Sequence, residues 1–241
     1  MKVENSDEKI IIRGGDCVKN QTKEYITSNK LIAQKIYNND SIAQYYPLEA
    51  VVRFLAEFKN KNELCVLDWG CAHGRHLAVA ARFGFGNLIG ADVAAAALEF
   101  AKNRIKIEYP NAKLKTILND EYLDIKAVND KSVDAIICTG VLWLNTRQNM
   151  LIMLKNMKRM LKNDGKIFVD FRCCDDDLYF GKEEFVIGKE SHLAGFSISI
   201  LSKEKLKELF KEAHLKLISF DKYEFSYKNK LNSYYHVILG E

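Results

Sequence analysis

Between residues 64 and 171, short apolar runs alternate with longer stretches of helical periodicity, and few folds accommodate that pattern. Leu64-Cys65-Val66-Leu67-Asp68 reads as a buried strand, followed by a glycine turn and a helix from Arg75 to Phe83. Asn87 to Ala91 is a second strand, Val93 to Ile107 an alanine-rich helix, Lys113 to Leu118 a third strand and Val133 to Thr139 a fourth. Thr146 to Leu161 places Met150, Leu151, Leu154, Met157 and Leu161 at helix spacing. Asn163-Asp164-Gly165 then turns into a fifth strand, Lys166 to Phe171. Strands of this length joined by helices specify βαβ units, and so an α/β chain with a doubly wound, mostly parallel sheet. The tail breaks the rule. Ser202 caps a helix to Ala213, and the strands Lys216 to Phe225 and Ser233 to Leu239 follow as an antiparallel pair across Lys228-Asn229-Lys230.

Two pieces stand outside the alternation. Thr22 to Asn38 and Pro47 to Phe58 read as helices preceding the first strand, N-terminal cap helices within residues 21–60 placed to cover the carboxyl ends of the strands. Cys173 to Ile200 is a long irregular segment, and residues 172–200 are expected to cover a substrate. Residues 1–20 mix charges without periodicity and are expected to be disordered. The first residues lack a signal-peptide core and no apolar run approaches a bilayer span, so a cytoplasmic chain without membrane partners is expected.

Charge excludes less than it permits. A net +4 from 36 basic and 32 acidic residues is too mild for a dedicated DNA reader, and only 8 of the basic residues are arginine. The six cysteines form no C-x-x-C pair, so neither a zinc site nor a disulfide scaffold is indicated, and no metal is expected. Cys65 and Cys138 read as small core residues.

The chemistry concentrates in Asp68-Trp69-Gly70-Cys71-Ala72-His73-Gly74-Arg75-His76. Strand, tight glycine loop and helix is the layout of a nucleotide-binding turn. A P-loop is excluded because no Gly-Lys-Ser/Thr follows, and a dinucleotide fingerprint fails at Ala72 and Arg75. Asp68, at the strand end, would repel a pyrophosphate but suits a ligand presenting a cation. S-adenosylmethionine carries a sulfonium and an ammonium and no phosphate. Asp92 ends the next strand 22 residues after Gly70, near the offset at which a carboxylate accepts bonds from a ribose diol. Asp120, after the third strand, is placed to meet an adenine amino group. The plainer roles are turn glycines for Gly70 and Gly74, an N-cap for Asp92 and loop acids for Asp120 and Asp134.

Taken together, these residues resemble the class I S-adenosylmethionine-dependent methyltransferases. Asp68 to Gly74 is similar to that family's D-x-G-x-G-x-G loop with Ala72 at the middle glycine, and Ala91-Asp92 to its ribose acid. Ser132 to Ile137 is similar to its fourth-strand segment, and Leu161-Lys162-Asn163-Asp164-Gly165 to its L-K-P-G-G turn, with Asn163-Asp164 in place of Pro-Gly. The resemblance covers about residues 45 to 240 and implies a Rossmann-like seven-stranded sheet within a domain over residues 21–241. It implies S-adenosylmethionine as methyl donor, S-adenosylhomocysteine as product, and donor contacts at Asp68, Gly70, Cys71, Ala72, His73, Gly74, Asp92, Val93, Asp120 and Thr139.

For the acceptor, the Asn/Asp-Pro-Pro-aromatic motif of base-methylating relatives is replaced by Cys138-Thr139-Gly140-Val141-Leu142-Trp143. That ending resembles small-molecule methyltransferases. Arg172 would clamp an anionic group, or else pair with Asp170 or with Asp175, Asp176 or Asp177, which read as hydrated loop acids. His192 is the candidate base. Trp143, Tyr179 and Lys182 would line the acceptor site. Tyr45 and Tyr46 would wall the sulfonium or staple the helix that starts at Pro47. His73 is expected to line the loop, and His214 and His236 to be structural. The expected activity is O-methylation of a small polar, anionic metabolite, such as a phosphorylated or nucleotide-linked sugar or a cell-surface precursor; the stretch Arg172 to Gly181 has some likeness to methyltransferases of surface-polysaccharide pathways. The alternatives are an RNA or protein methyltransferase and a non-catalytic binding module.

Overall fold

The computed structural model describes residues 30–37, 45–119, 121, 123–179, 181–186 and 195–241. Its strands are Cys65–Trp69 (β1), Asn87–Asp92 (β2), Leu114–Leu118 (β3), Val133–Cys138 (β4), Leu161–Arg172 (β5), Glu184–Val186 (β6), Ser197–Ser199 (β7), Lys216–Tyr227 (β8) and Lys230–Gly240 (β9). Residues 30–37 are helical (α1), and the further helices are Glu49–Ala56 (α2), Arg75–Arg82 (α3), Ala95–Glu108 (α4), Arg147–Met160 (α5) and Lys203–Glu212 (α6). Seven strands form one sheet in the order β3-β2-β1-β4-β5-β9-β8, with β6 and β7 as a separate pair. β9 alone runs against its neighbours, pairing antiparallel with both β5 and β8.

Alternation along the central strands builds two cores. Val66, Ile137 and Phe168 point to one face, where Phe54 of α2, Leu77 of α3 and Ile105 of α4 cover them. Leu67, Ile136, Ile167 and Phe171 point to the other, under Met150, Met157, Leu206 and Phe210 of α5 and α6. Each such side chain contributes about 1.5–3 kcal/mol on burial. With both faces covered, the strand order reverses between β1 and β4, and a crevice opens beyond the carboxyl ends of the strands.

The expected elements are present with shifted ends. The Ser202 hydroxyl accepts the Lys205 N–H at 3.3 Å, the predicted cap of α6. α4 starts at Ala95 rather than Val93, and its N-cap position is Ala94, not Asp92. Asn163-Asp164-Gly165 does not end in a free turn. It lies inside β5 as a bulge, because Val133 pairs with Leu161 while Ala135 pairs with Lys166. Lys228 and Asn229 both take left-handed φ (50° and 59°), the mirror-image turn that matches the twist of a two-residue hairpin. Asp134 is structural: it accepts the Cys65 N–H at 2.8 Å and Lys162 Nζ at 2.9 Å. The segment 172–200 is not wholly irregular, since it contributes β6 and β7. Residues 1–20 and 22–29 lie outside the described residues. No described helix is long and apolar enough to cross a membrane.

Candidate active site

The turn after β1 is shaped by three left-handed residues: Gly70 at φ 82°, Ala72 at 44° and Gly74 at 75°. A Cβ at Gly70 would overlap Cγ2 of Val141, so only glycine lets the backbone pass there. Ala72 holds its strained conformation because Asp92 Oδ2 accepts its N–H at 2.9 Å. Asp92 Oδ1 accepts the Ala94 N–H at 2.9 Å, so one buried carboxylate ties the turn to the start of α4. Gly70 and Cys71 donate in turn to the Ala91 carbonyl at 2.8 and 3.1 Å.

Beneath the turn, Asp68 is 1% exposed, and neither carboxylate oxygen has a hydrogen-bond partner among the described residues. The nearest base, His76 Nδ1, stands 3.8 Å away, and burial and the adjacent Arg75 hold that imidazole well below its usual pKa, hence neutral. Burial raises the Asp68 carboxyl to about 7 against the pull of Arg75, with Asp92 pushing the same way. As pH rises past about 4, the unfolded chain therefore releases this proton before the folded chain does. Stability relative to Asp68→Asn is expected to fall from pH 4.5 to 7.5, by on the order of a few kcal/mol. Denaturation midpoints of the two proteins across that range check this, and parallel curves would contradict it.

Above the turn lies a cleft of about 490 Å³. Gly70, Cys71, Ala72, His73, Asp92, Val93 and Thr139 line it, so seven of the ten expected donor residues meet in one place. Gly74 sits just behind as the N-cap of α3, Asp68 lies under the floor, and Asp120 is outside the described residues, with Asn119 beside it lining the cleft. His73 packs edge-on against Tyr37 and Phe100, with ring centroids 5.4 and 4.8 Å away.

The acceptor residues fare differently. Trp143 lines the cleft as expected. Arg172 also lines it but is not a free clamp: its Nη1 meets Asp176 Oδ2 at 2.6 Å with both side chains buried. Asp176 is accordingly no hydrated loop acid, and it also accepts the Ser233 and Leu178 N–H groups. Asp177 accepts the Leu231 N–H, and Asp175 pairs with Lys222. Tyr45 and Tyr46 do not wall the cleft. They are 52% and 87% exposed, and Tyr45 lies over Arg104 and Phe100 of α4, because the chain reaches Pro47 along the outside of that helix. Tyr179 packs against the core and Lys182 is exposed; neither borders the cleft. His192 lies outside the described residues. His214 follows α6 at φ 55°, and His236, in β9, also lines the cleft.

Sequence reasoning missed Tyr37, Arg75, Asp170, Tyr223, Phe225 and Tyr234, all of which line the cleft. Two signals were available. Tyr223, Phe225 and Tyr227 alternate at strand spacing, which marks one aromatic face, and Asp170 lies two residues before the end of β5 much as Asp68 lies one before the end of β1. Arg75 is half-buried, makes a 3.4 Å bond to the Tyr46 carbonyl, and has no carboxylate within ion-pair distance among the described residues. No described cluster of three or more His, Cys, Asp or Glu side chains would hold a metal ion.

Residues 66–165 match a family described as a methyltransferase domain. Among curated proteins, the tRNA U34 carboxymethyltransferase of Campylobacter jejuni serotype O:2 is 31% identical over 126 residues, covering 51% of this chain and 40% of the relative. That of Campylobacter lari is 29% identical over 126 residues, covering 52% and 40%. The chain thus spans less than half the length of the curated relatives it matches. Among solved structures, the 1,6-didemethyltoxoflavin-N1-methyltransferase of Burkholderia thailandensis, with its substrate and S-adenosylhomocysteine bound, superposes with a TM-score of 0.70 at 13% identity, over 95% of this chain and 92% of the other. A S-adenosylmethionine-dependent methyltransferase of Methanosarcina mazei gives 0.61 at 16% identity, over 78% and 96%. At these identities the likeness is one of fold.

Proposed function

We propose that this chain, whose residues 66–165 match a methyltransferase domain, is a class I S-adenosylmethionine-dependent methyltransferase that transfers a methyl group to a small molecule held in the cleft described above. The observation that carries the reading is the conjunction of a glycine turn that admits no side chain, an unpartnered carboxylate below it and Asp92 beside it, all at the switch point of the sheet. The residues fit this donor. Asp92 has lone pairs left for a ribose diol, Arg75 is a cation for the donor's carboxylate, and the unpartnered Asp68 carboxyl under the turn would ionise beside an ammonium or sulfonium. When bound, the donor supplies an electrophilic methyl on a positively charged sulfur. The protein's contribution is to hold an acceptor against it and exclude water.

The phosphorylated sugar suggested by the sequence is not carried into this proposal, because Arg172 is committed to Asp176 and Lys182 stands outside the cleft. The RNA alternative keeps one support, the likeness to tRNA-modifying relatives.

Calorimetric titration of S-adenosylmethionine and S-adenosylhomocysteine tests the reading. Micromolar binding is expected, weakened by about 1–3 kcal/mol in Asp92→Ala, with ligand-free melting curves separating loss of contact from loss of fold. Absence of heat with either ligand in the folded wild type would remove the proposal.

A further inference from the structure

The donor contacts leave one side of the cleft unexplained. There β8 and β9 present Tyr223, Phe225, Tyr234 and His236 on a single face. The rings lie nearly parallel in pairs: Tyr223 and His236 at 18° with centroids 5.3 Å apart, Phe225 and Tyr234 at 4° and 6.3 Å. Tyr223 and Phe225 remain 48% and 42% exposed, so much flat apolar surface faces the opening. At the inner end stands Asp170, 5% exposed, whose Oδ1 accepts the Gly140 N–H at 2.7 Å. Arg172 is sandwiched between the Trp143 and Tyr234 rings at 4.9 and 4.8 Å.

We infer that this side takes an acceptor with a planar aromatic or heteroaromatic ring bearing an acidic O–H or N–H, with Asp170 receiving its proton, an inference that rests on the methyl-transfer reading above. The ring lies against the aromatic wall and its acidic atom meets the carboxylate. As that O–H or N–H gives its proton to Asp170, the acceptor's electron pair forms the bond to the methyl carbon. The carbon–sulfur bond breaks with its electrons left on sulfur, and neutral S-adenosylhomocysteine results.

The groups facing Asp170 make this pairing specific. Arg75 of α3 and Arg172 of β5 favour negative charge on the acceptor atom; Tyr234 and His236 of β9, Cys138 of β4 and Trp143 complete its surroundings. Burial lifts the Asp170 carboxyl to about 6, while the Gly140 N–H and the two arginines pull it down, so it is ionised at neutral pH and still basic. A carboxylate of that strength matches an aromatic hydroxyl or ring N–H, whereas an aliphatic sugar hydroxyl holds its proton far more tightly.

The test uses the full chain with S-adenosylhomocysteine bound, its occupancy verified by calorimetry on every variant; failure at that stage counts against the donor reading instead. The probe is 7-hydroxycoumarin, a flat phenol, with glucose 1-phosphate for comparison. The wild type is expected to bind the coumarin and to bind its neutral form more tightly as pH rises from 5 to 7, as Asp170 ionises. Tyr234→Leu is expected to weaken binding at least tenfold, and Asp170→Asn to abolish the pH dependence. Displacement by unfractionated tRNA assigns the ring to a nucleobase; displacement by free nucleosides or phenols alone assigns it to a small metabolite. Tighter binding of glucose 1-phosphate, no coumarin binding by the donor-loaded wild type, or an unchanged pH dependence in Asp170→Asn would overturn the inference.

Discussion

Replacing Asp176 by alanine lowers the free energy of unfolding by about 3–5 kcal/mol, the cost of stranding a buried charge. The side chains of Arg172 and Asp176 are 3% and 1% exposed, so neither charge has water as an alternative partner. The same carboxylate accepts the Ser233 N–H of β9 and the Leu178 N–H of the loop after β5, each at 2.9 Å. Its removal leaves a buried guanidinium and the buried Ser233 N–H without this acceptor, frees the half-buried Leu178 N–H, and loosens the wall on which Tyr234 sits. Urea denaturation of the ligand-free protein measures the effect. Asp175→Ala is the control: its partner Lys222 is solvent-exposed, so the midpoint is expected to stay where it is. Equal midpoints for wild type and Asp176→Ala would show that Arg172 is not held as described.

Gly70→Ala acts on ligand affinity more than on folding. At φ 82° an alanine costs about 1 kcal/mol or more in backbone conformation, and here its methyl also overlaps Val141. Relief requires Val141 to move into the cleft or the turn to shift, and either displaces the donor. Affinity for S-adenosylhomocysteine is expected to fall at least tenfold, with partial recovery in Gly70→Ala/Val141→Ala. Gly84→Ala separates the two costs. Gly84 has φ 81° with nothing within 4 Å of a new Cβ, so that variant loses stability through conformation alone and keeps its affinity. Calorimetry beside melting curves distinguishes these outcomes, and unchanged affinity in Gly70→Ala would contradict a donor seated on the turn.

The contrast between these two predictions marks what was legible in the sequence. Gly70, Asp92 and the strand alternation follow from local rules, since a period of two, a turn requiring left-handed backbone and an acid at a strand end are visible within a dozen residues. The partner of Arg172 was not. Asp170, Asp175, Asp176 and Asp177 all lie near Arg172 in sequence, and the choice of Asp176 depends on Ser233, which β9 delivers from 57 residues away. Tyr45 and Tyr46 were misplaced for a similar reason: aromatics before a helix fit a wall or a surface, and only α4, with Arg104 and Phe100, decides between them. Asp170 is the instructive omission. It lies near the carboxyl end of β5, as Asp68 does on β1, but without a glycine turn after it nothing nearby announced a site.

In the proposed function the glycine turn, Asp92 and Arg75 together seat the methyl donor. A crystal structure with S-adenosylhomocysteine tests it most directly. The ribose hydroxyls are expected on the Asp92 carboxylate, the adenine toward Asn119, the amino-acid end toward Arg75, and the sulfur facing Asp170 and the aromatic wall. Ligand bound away from the turn, or with its ribose turned from Asp92, would contradict it.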